Sequence, residues 1–225
     1  MSILSCRDLV KEYVIDNGSF KALDCVSLDV EKGDYLAVTG ETGSGKTTLL
    51  NLIGLIDKPT SGEVTIDGVA VTNDGMKSAE LRNTYLGYVF QNFYLDPNYT
   101  AGYNVEIPLI IAGVAASERK SRVDEALKTV GLQEKVNVKC GKLSGGEKQR
   151  VCIARAVINK PSVVLADEPC GNLDSVNTAA IMDLFDELNR SGTTIVMVTH
   201  SREDALRART RVTMKDGKII EVEKD

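Results

Sequence analysis

Gly40-Glu41-Thr42-Gly43-Ser44-Gly45-Lys46-Thr47 fits the pattern G-x-x-x-x-G-K-[ST], a turn built to cradle phosphate. Glycine lets the backbone turn tightly and aim several N–H groups at one point. Lys46 would reach the β- and γ-phosphates of a nucleotide, and the Thr47 hydroxyl would ligate Mg²⁺. Ser162-Val-Val-Leu-Ala-Asp167-Glu168-Pro169 is an apolar run that ends in two acids. Asp167 then stands where a Mg²⁺-organising carboxylate is needed. Glu168, one residue on, can face an attacking water as general base. Alone, the pair would be an acidic turn after a core strand; beside a phosphate cradle it reads as chemistry. His200 is the sole histidine, which excludes a multi-histidine metal site. It ends the apolar run Thr193-Thr-Ile-Val-Met-Val-Thr199, at the same sheet edge as Lys46 and Asp167. There a neutral imidazole can keep water, Glu168 and the γ-phosphate in line.

A second glycine-rich turn is Leu143-Ser144-Gly145-Gly146-Glu147-Lys148-Gln149-Arg150. Ser144 and Glu147 also fit a capping box, which alone means only a helix start. Two glycines in a first helical turn are poor helix formers. They make sense where the backbone must come close to something such as a phosphate. This turn reads as a supplement to another site.

These groups need strands and helices to position them. Tyr35-Leu-Ala-Val-Thr39 is expected to be a buried strand and Thr47 to Ile53 a helix, which puts the first turn between strand and helix. Runs apolar at nearly every position, 162–167 and 193–199, predict parallel strands covered on both faces, with a helix over 175–190 between them. Ligands of open α/β sheets gather at the carboxyl ends of such strands. Residues 3–10 and 21–39 read as strands of an antiparallel β-lobe, with Asp16-Asn17-Gly18 as a turn. Glu63 to Gly68 adds a strand and turn. Helical periodicity runs from Ala101 to about Val136, and Val151 to Ile158 reads as a buried helix. Ser201-Arg-Glu-Asp204 caps a further helix, and Met214 to Val222 reads as a closing hairpin. No linker, internal repeat or low-complexity stretch interrupts this order.

The 225 residues suffice for one full core with a sub-lobe, and the net charge of -5 is ordinary for a soluble protein. No long basic stretch supports nucleic-acid binding; Arg207-Ala-Arg-Thr-Arg211 reads as a solvated edge. No apolar run reaches the ~18 residues of a membrane span. The N-terminus lacks a signal-peptide pattern, so membrane association is expected through a partner and not by direct insertion. Five cysteines without a C-x-x-C pair fit reduced cytosolic thiols, buried or semi-buried.

Taken in order, the G-x-x-x-x-G-K-T turn, LSGGEKQR, VVLADEP and the final Thr199-His200 resemble the ATP-binding cassette (ABC) ATPases over nearly the whole chain. The resemblance implies an α/β P-loop NTPase cassette: a RecA-like core with an antiparallel β-lobe (about 1–92 and 160–225) and a small helical subdomain (about 93–159). It implies ATP and Mg²⁺ as ligands, held by the residues of the first turn and by Thr48. Tyr13 matches the aromatic residue that stacks on adenine. Gln91 matches the glutamine that contacts Mg²⁺ and water and senses the transport subunit. Asp174, in Gly171-Asn-Leu-Asp174, ends a loop that crosses between subunits. In this family two subunits join head to tail, so that Ser144, Gly145, Gly146 and Glu147 of one close over ATP held by the other. A homodimer in ATP and integral-membrane permease partners are therefore expected, with the cassette peripheral on the cytoplasmic face of the membrane.

The interval from Gln91 to Leu143 has no room for a long coiled coil, against chromosome-structuring relatives. Leu55 to Glu63, Pro108 to Gly113 and Ala166 to Asp174 resemble the macrolide-efflux, lipoprotein-release and cell-division (FtsE) group. Transport and FtsE-like mechanotransmission both remain open at this point, as does a soluble ABC ATPase. Glu41-Thr42 stands where the family has Pro-Ser, placing an acid beside the phosphates. Cys170 replaces a Thr, and Asp96, Tyr99 and Tyr103 depart from the family pattern just after Gln91.

Overall fold

The computed structural model describes residues 2–15, 18–71 and 75–225. The expected Asp16-Asn17-Gly18 turn falls partly on residues outside that set. Ten strands alternate with seven helices among the described residues. They run β1 (Ser2–Ile15), β2 (Gly18–Glu31), β3 (Tyr35–Gly40), α1 (Lys46–Ile53), β4 (Ser61–Ile66), β5 (Val69–Ala70), α2 (Gly75–Tyr85) and β6 (Leu86–Val89). There follow α3 (Ala101–Ile111), α4 (Ala116–Thr129), α5 (Gly145–Val157), β7 (Val163–Asp167), α6 (Ser175–Arg190), β8 (Thr194–Val198), α7 (Arg202–Ala205), β9 (Thr210–Lys215) and β10 (Lys218–Lys224). Short 3-10 turns at Gln133–Lys135 and Cys140–Lys142 lead into α5.

A six-stranded sheet, order β10-β9-β3-β8-β7-β6, forms the centre. Its strands β9, β3, β8, β7 and β6 are parallel, and β10 closes it as an antiparallel hairpin with β9. Side chains alternate across a strand, so each central strand feeds both faces. Leu36, Val38, Val163, Leu165, Val196 and Val198 pack against Leu49, Leu50, Leu52 and Ile53 of α1 and against the antiparallel sheet β2-β1-β4-β5. Tyr35, Ala37, Val164, Ala166, Ile195 and Met197 pack on the other face against residues of α3, α4, α5 and α6. This is why β3, β7 and β8 are apolar at nearly every position. Phe185 of α6 is fully buried in the second cluster, where truncation to Ala would cost about 3–5 kcal/mol. Helix α5 lies so close to β6 that a Cβ on Gly87 would stand 2.3 Å from the Ala156 carbonyl oxygen.

Three expectations need correction. The run 21–39 is not one part of the β-lobe: it breaks at Lys32–Asp34, where Gly33 turns at φ 84, and β3 leaves for the central sheet. The reason is burial, since β2 covers one face whereas Tyr35–Val38 are buried throughout. Helix α2 was not foreseen; it has no buried residue and so no apolar stripe to read. Cys25 is exposed, at φ 54, while the other four cysteines are buried; all are free thiols. No described helix is long and apolar enough to cross a membrane.

Candidate active site

Parallel register brings the ends of β3, β7 and β8 level. Val38 and Asp167 both pair with Val198. Just beyond, the Glu168 N–H donates to the Val198 carbonyl (2.9 Å) and the Thr199 N–H to the Val38 carbonyl (3.1 Å). Three chain segments that need chemistry at their ends are thus tied together by backbone hydrogen bonds.

The first turn joins β3 to α1. Gly40 (φ 142), Gly43 (φ 83) and Gly45 (φ 100) all lie where side-chain-bearing residues are strained. Gly40 and Gly45 are also hemmed in: a Cβ would meet the Met214 and Ala22 carbonyl oxygens at 2.2 and 2.5 Å. Gly45 caps α1 without a side chain, so the first-turn N–H groups keep no side-chain acceptor. Lys46 is buried and donates to the carbonyls of Gly40 and Glu41, both at 2.8 Å. The loop therefore closes on its own lysine. Ser44 Oγ is buried and has no protein partner. A buried hydroxyl without a partner is costly, so this position fits a ligand that supplies an acceptor. The side chains of Glu41 and Thr42 are exposed, as is Thr47; Thr48 is half-buried.

Thr47 Oγ1 donates to Asp167 Oδ1 at 3.2 Å. Burial pushes the Asp167 carboxyl above its usual range, against the Thr47 hydrogen bond. A half-buried carboxylate and a hydroxyl are hard oxygen donors that fit Mg²⁺, which takes few protein ligands and completes its shell with phosphate and water. No group of three or more His, Cys, Asp or Glu able to hold a metal exists among the described residues.

Glu168 sits at φ 43, a strained backbone for a residue with a side chain. Its Oε2 is reached by His200 Nδ1 at 3.1 Å and by Gln91 Nε2 at 3.4 Å. With Glu168 as the acceptor, the imidazole tautomer that carries its proton on Nδ1 completes this contact. Gln91 is held from the other side too, where Asn172 Nδ2 donates to its backbone carbonyl at 3.2 Å. Lys46, Thr47, Gln91, Asp167, Glu168 and His200 thus form one corner at the carboxyl ends of the strands.

The remaining expected residues stand apart from that corner. Tyr13 is half-exposed on β1, with its hydroxyl 3.2 Å from Asp57 Oδ2 and the Lys11 ammonium 5.0 Å from its ring centroid. Ser144 caps α5 in a complete capping box: Glu147 N–H donates to Ser144 Oγ (3.3 Å), and Ser144 N–H to Glu147 Oε2 (2.8 Å). Glu147 also pairs with Lys135 at 3.2 Å. These bonds are local, and none reaches the first turn. Asp174 caps α6, and Asn177 occupies both its oxygens at 2.8 Å, through the backbone N–H and the side-chain amide.

The two glycines behind Ser144 have different reasons to be glycine. A Cβ on Gly146 would stand 2.1 Å from Asn177 Oδ1, so the Asn177 side chain would have to give up its present place. A Cβ on Gly145 would meet only Leu173 Cδ2, at an ordinary 3.6 Å. Gly146 thus has an internal reason to be glycine as well as the expected external one, and Gly145 has the external one alone. Asn172 and Asn177 were missed in the sequence. Asp174-x-x-Asn177, a cap followed by an amide in reach of it, was the available signal for the second; the first had none, because its partner is distant in the chain.

The ABC transporter family profile matches residues 23–171. The lipoprotein-releasing system ATP-binding protein LolD of Aquifex aeolicus is 46% identical over 89% of this chain and 90% of its own length. The macrolide export ATP-binding/permease protein MacB of Hyphomonas neptunium is 42% identical over 97% of this chain, which spans 34% of that longer protein. Among solved structures, the dimeric post-hydrolysis state of the ATP-binding cassette MJ0796, bound to ADP and Pi, superposes with a TM-score of 0.91. It is 39% identical, and 98% of each chain is covered.

Proposed function

Since this chain belongs to the ABC transporter family, and is an ABC ATPase subunit, we propose that it hydrolyses ATP to power a membrane complex of the efflux or lipoprotein-extraction kind. The observation that carries the hydrolytic part is the corner itself. A lysine, a hydroxyl, two carboxylates, an amide and an imidazole converge beside a glycine turn with uncapped helical N–H groups.

In this reading the Lys46 ammonium leaves the Gly40 and Glu41 carbonyls for the β- and γ-phosphates. The N–H groups of Gly43 to Thr48 cradle those phosphates, and Ser44 Oγ gains its missing partner. Thr47, Asp167 and Gln91 would hold Mg²⁺, which when bound neutralises charge on the phosphates. A water attacks the γ-phosphorus as the bond to ADP breaks, and Glu168 Oε2 takes the water's proton. His200 Nδ1–H keeps that carboxylate aimed. Tyr13 offers adenine the ring face that Lys11 does not occupy.

The half-site of Ser144, Gly145, Gly146 and Glu147, with Asp174 behind it, has no phosphate within its own chain. We assign it to the ATP held by a second copy, giving a nucleotide-sandwich homodimer. The dimeric MJ0796 structure supports this arrangement. A permease partner is supported by MacB, whose name joins an ATP-binding and a permease part. The surface we give that partner is a groove of about 390 Å³ whose lining includes Phe90, Tyr94, Pro108 and Ile111. Residues about 93–159 act as the helical subdomain and the rest as core and β-lobe. The cassette then sits on the cytoplasmic face of the membrane through its permease.

The test is affinity capture from detergent-solubilised membranes with the Glu168→Gln chain as bait in Mg-ATP. A stoichiometric partner with few membrane spans and a large external domain is expected. Recovery of the dimer with no membrane protein would overturn the transport reading and leave the ATPase standing.

A further inference from the structure

The segment Gln91–Leu95, which follows β6, has no regular structure, and Tyr94 in it sits at φ 46. Packing does not hold Tyr94 in place: it is 68% exposed, its ring edge-on to Phe90 at 5.0 Å. Phe93 and Leu95 on either side pack against the core, and the backbone at Tyr94 is held through its carbonyl oxygens. Arg155 Nη2 donates to the Phe93 carbonyl at 2.9 Å and Arg155 Nη1 to the Tyr94 carbonyl at 2.6 Å. Cys152 Sγ–H, one turn earlier on the same helix face, donates to the Phe93 carbonyl at 3.1 Å. Among the described residues no carboxylate lies within ion-pair distance of Arg155, so its charge serves these two carbonyls alone. Charge-assisted bonds are the strong ones, and the planar fork reaches two acceptors at once, which a lysine ammonium cannot do in the same geometry.

Arg155 stands on α5, the helix whose first residues are Gly145 and Gly146. About 16 Å of rigid helix separates Ser144 from Arg155 along the axis. A displacement of the Ser144 end must therefore move the guanidinium, and the guanidinium grips the backbone under Tyr94.

We propose that Arg155 is a positioning residue that makes segment 91–95 ride with helix α5, so that ATP engaged at Ser144–Gly146 is felt at Tyr94. Coupling of this kind is reciprocal: whatever fixes Tyr94 also changes how readily the Ser144 end takes up ATP. The inference rests on the sandwich dimer of the preceding section.

The chain contains no tryptophan, so Tyr94→Trp supplies a single fluorescent reporter on an exposed site. In a Glu168→Gln background, Mg-ATP is added while emission and size-exclusion elution are recorded on the same sample. With Arg155 intact, emission shifts as the dimer forms. In Arg155→Lys, which keeps charge and stem, and in Arg155→Met, the dimer still forms but the shift is lost. Asn172→Ala, which leaves the α5 grip intact, retains it. An undiminished shift in both Arg155 variants overturns the proposal while leaving the dimer standing. No dimer even with Arg155 intact overturns the sandwich reading, and the proposal falls with it. A plain structural defect would lower the melting temperature and dimerisation together, an outcome the elution and melting records separate from lost coupling.

Discussion

The corner around Glu168 and the turn around Ser144 are both glycine-rich or acid-rich ends of buried elements, yet they differ in completeness. At the corner, side chains from the start of α1 and from just beyond β6, β7 and β8 meet each other, but a buried hydroxyl lacks a partner and a lysine is folded onto its own loop. At the Ser144 turn every cap is made, and Asp174 and Asn177 are already spent on each other. Only Gly145 has no internal reason to be glycine. In our reading the first region takes a small ligand. The second has its outer caps made, although the Gln149 amide behind them is buried without a partner, and in our reading it meets a large ligand, the second copy.

The largest effect that sharpens this contrast is at Glu168. Glu168→Gln keeps the shape and the His200 and Gln91 neighbours but cannot take a proton. Steady-state ATP hydrolysis should fall by about 10²–10⁴, the span of a lost general base, while ATP binding persists. Size exclusion in Mg-ATP should then show a lasting dimer. Turnover at the parent rate would remove Glu168 from the mechanism.

Next come the two glycines. Gly146→Ala forces its methyl against Asn177 and should cost about 1–3 kcal/mol, read as a lower midpoint in urea. Asn177→Ala added to it should restore much of that loss. Gly145→Ala should leave the midpoint almost unchanged and yet weaken ATP-driven dimerisation. If both glycines behave alike, the division between an internal and an external reason is wrong.

Legibility followed the same division. β3, β7 and β8 could be read because two covered faces demand apolar residues throughout, and the corner because each strand ends in its own reactive group. The exchange of β3 into the central sheet was hidden, since Val26, Leu28 and Val30 before the break look as apolar as Leu36 and Val38 after it. Helix α2 was hidden because it buries no residue fully, with only Leu81 and Tyr85 packed part-way against the core. The ties made by Asn172, Asn177 and Arg155 depend on which carbonyl or amide the fold brings close. No spacing along the chain encodes that, except for the short Asp174-to-Asn177 step.

Smaller is the loss of the cap. Ser144→Ala removes the acceptor of the Glu147 N–H and should destabilise by about 1 kcal/mol, some 2–4 °C in a chain of this size. Calorimetry without nucleotide reads it directly. Because the same serine faces the second copy's ATP in our reading, the dimer should weaken by more than this stability loss explains. Equal losses would make Ser144 a cap and nothing else.

The smallest effect is the charge of Glu147. The Ser144 N–H and then the Lys135 ammonium hold its carboxyl below the ordinary glutamate range. A carboxyl depressed in the folded state adds stability above its unfolded value, and that share is lost as pH falls through the folded one. Glu147→Gln keeps an acceptor for the Ser144 N–H but gives up the charge at the N-terminus of α5, about 0.3–1 kcal/mol for an exposed helix end. The parent chain should therefore melt slightly above Glu147→Gln at pH 7. The gap should close once the pH drops below the depressed carboxyl, and added salt should narrow it at neutral pH. A gap that persists unchanged in acid would mean that Glu147 works through hydrogen-bond geometry alone. The Ser144 turn would then owe nothing to its electrostatics, and the negative charge at that end of α5 would be free to matter only when a second copy's phosphates approach it.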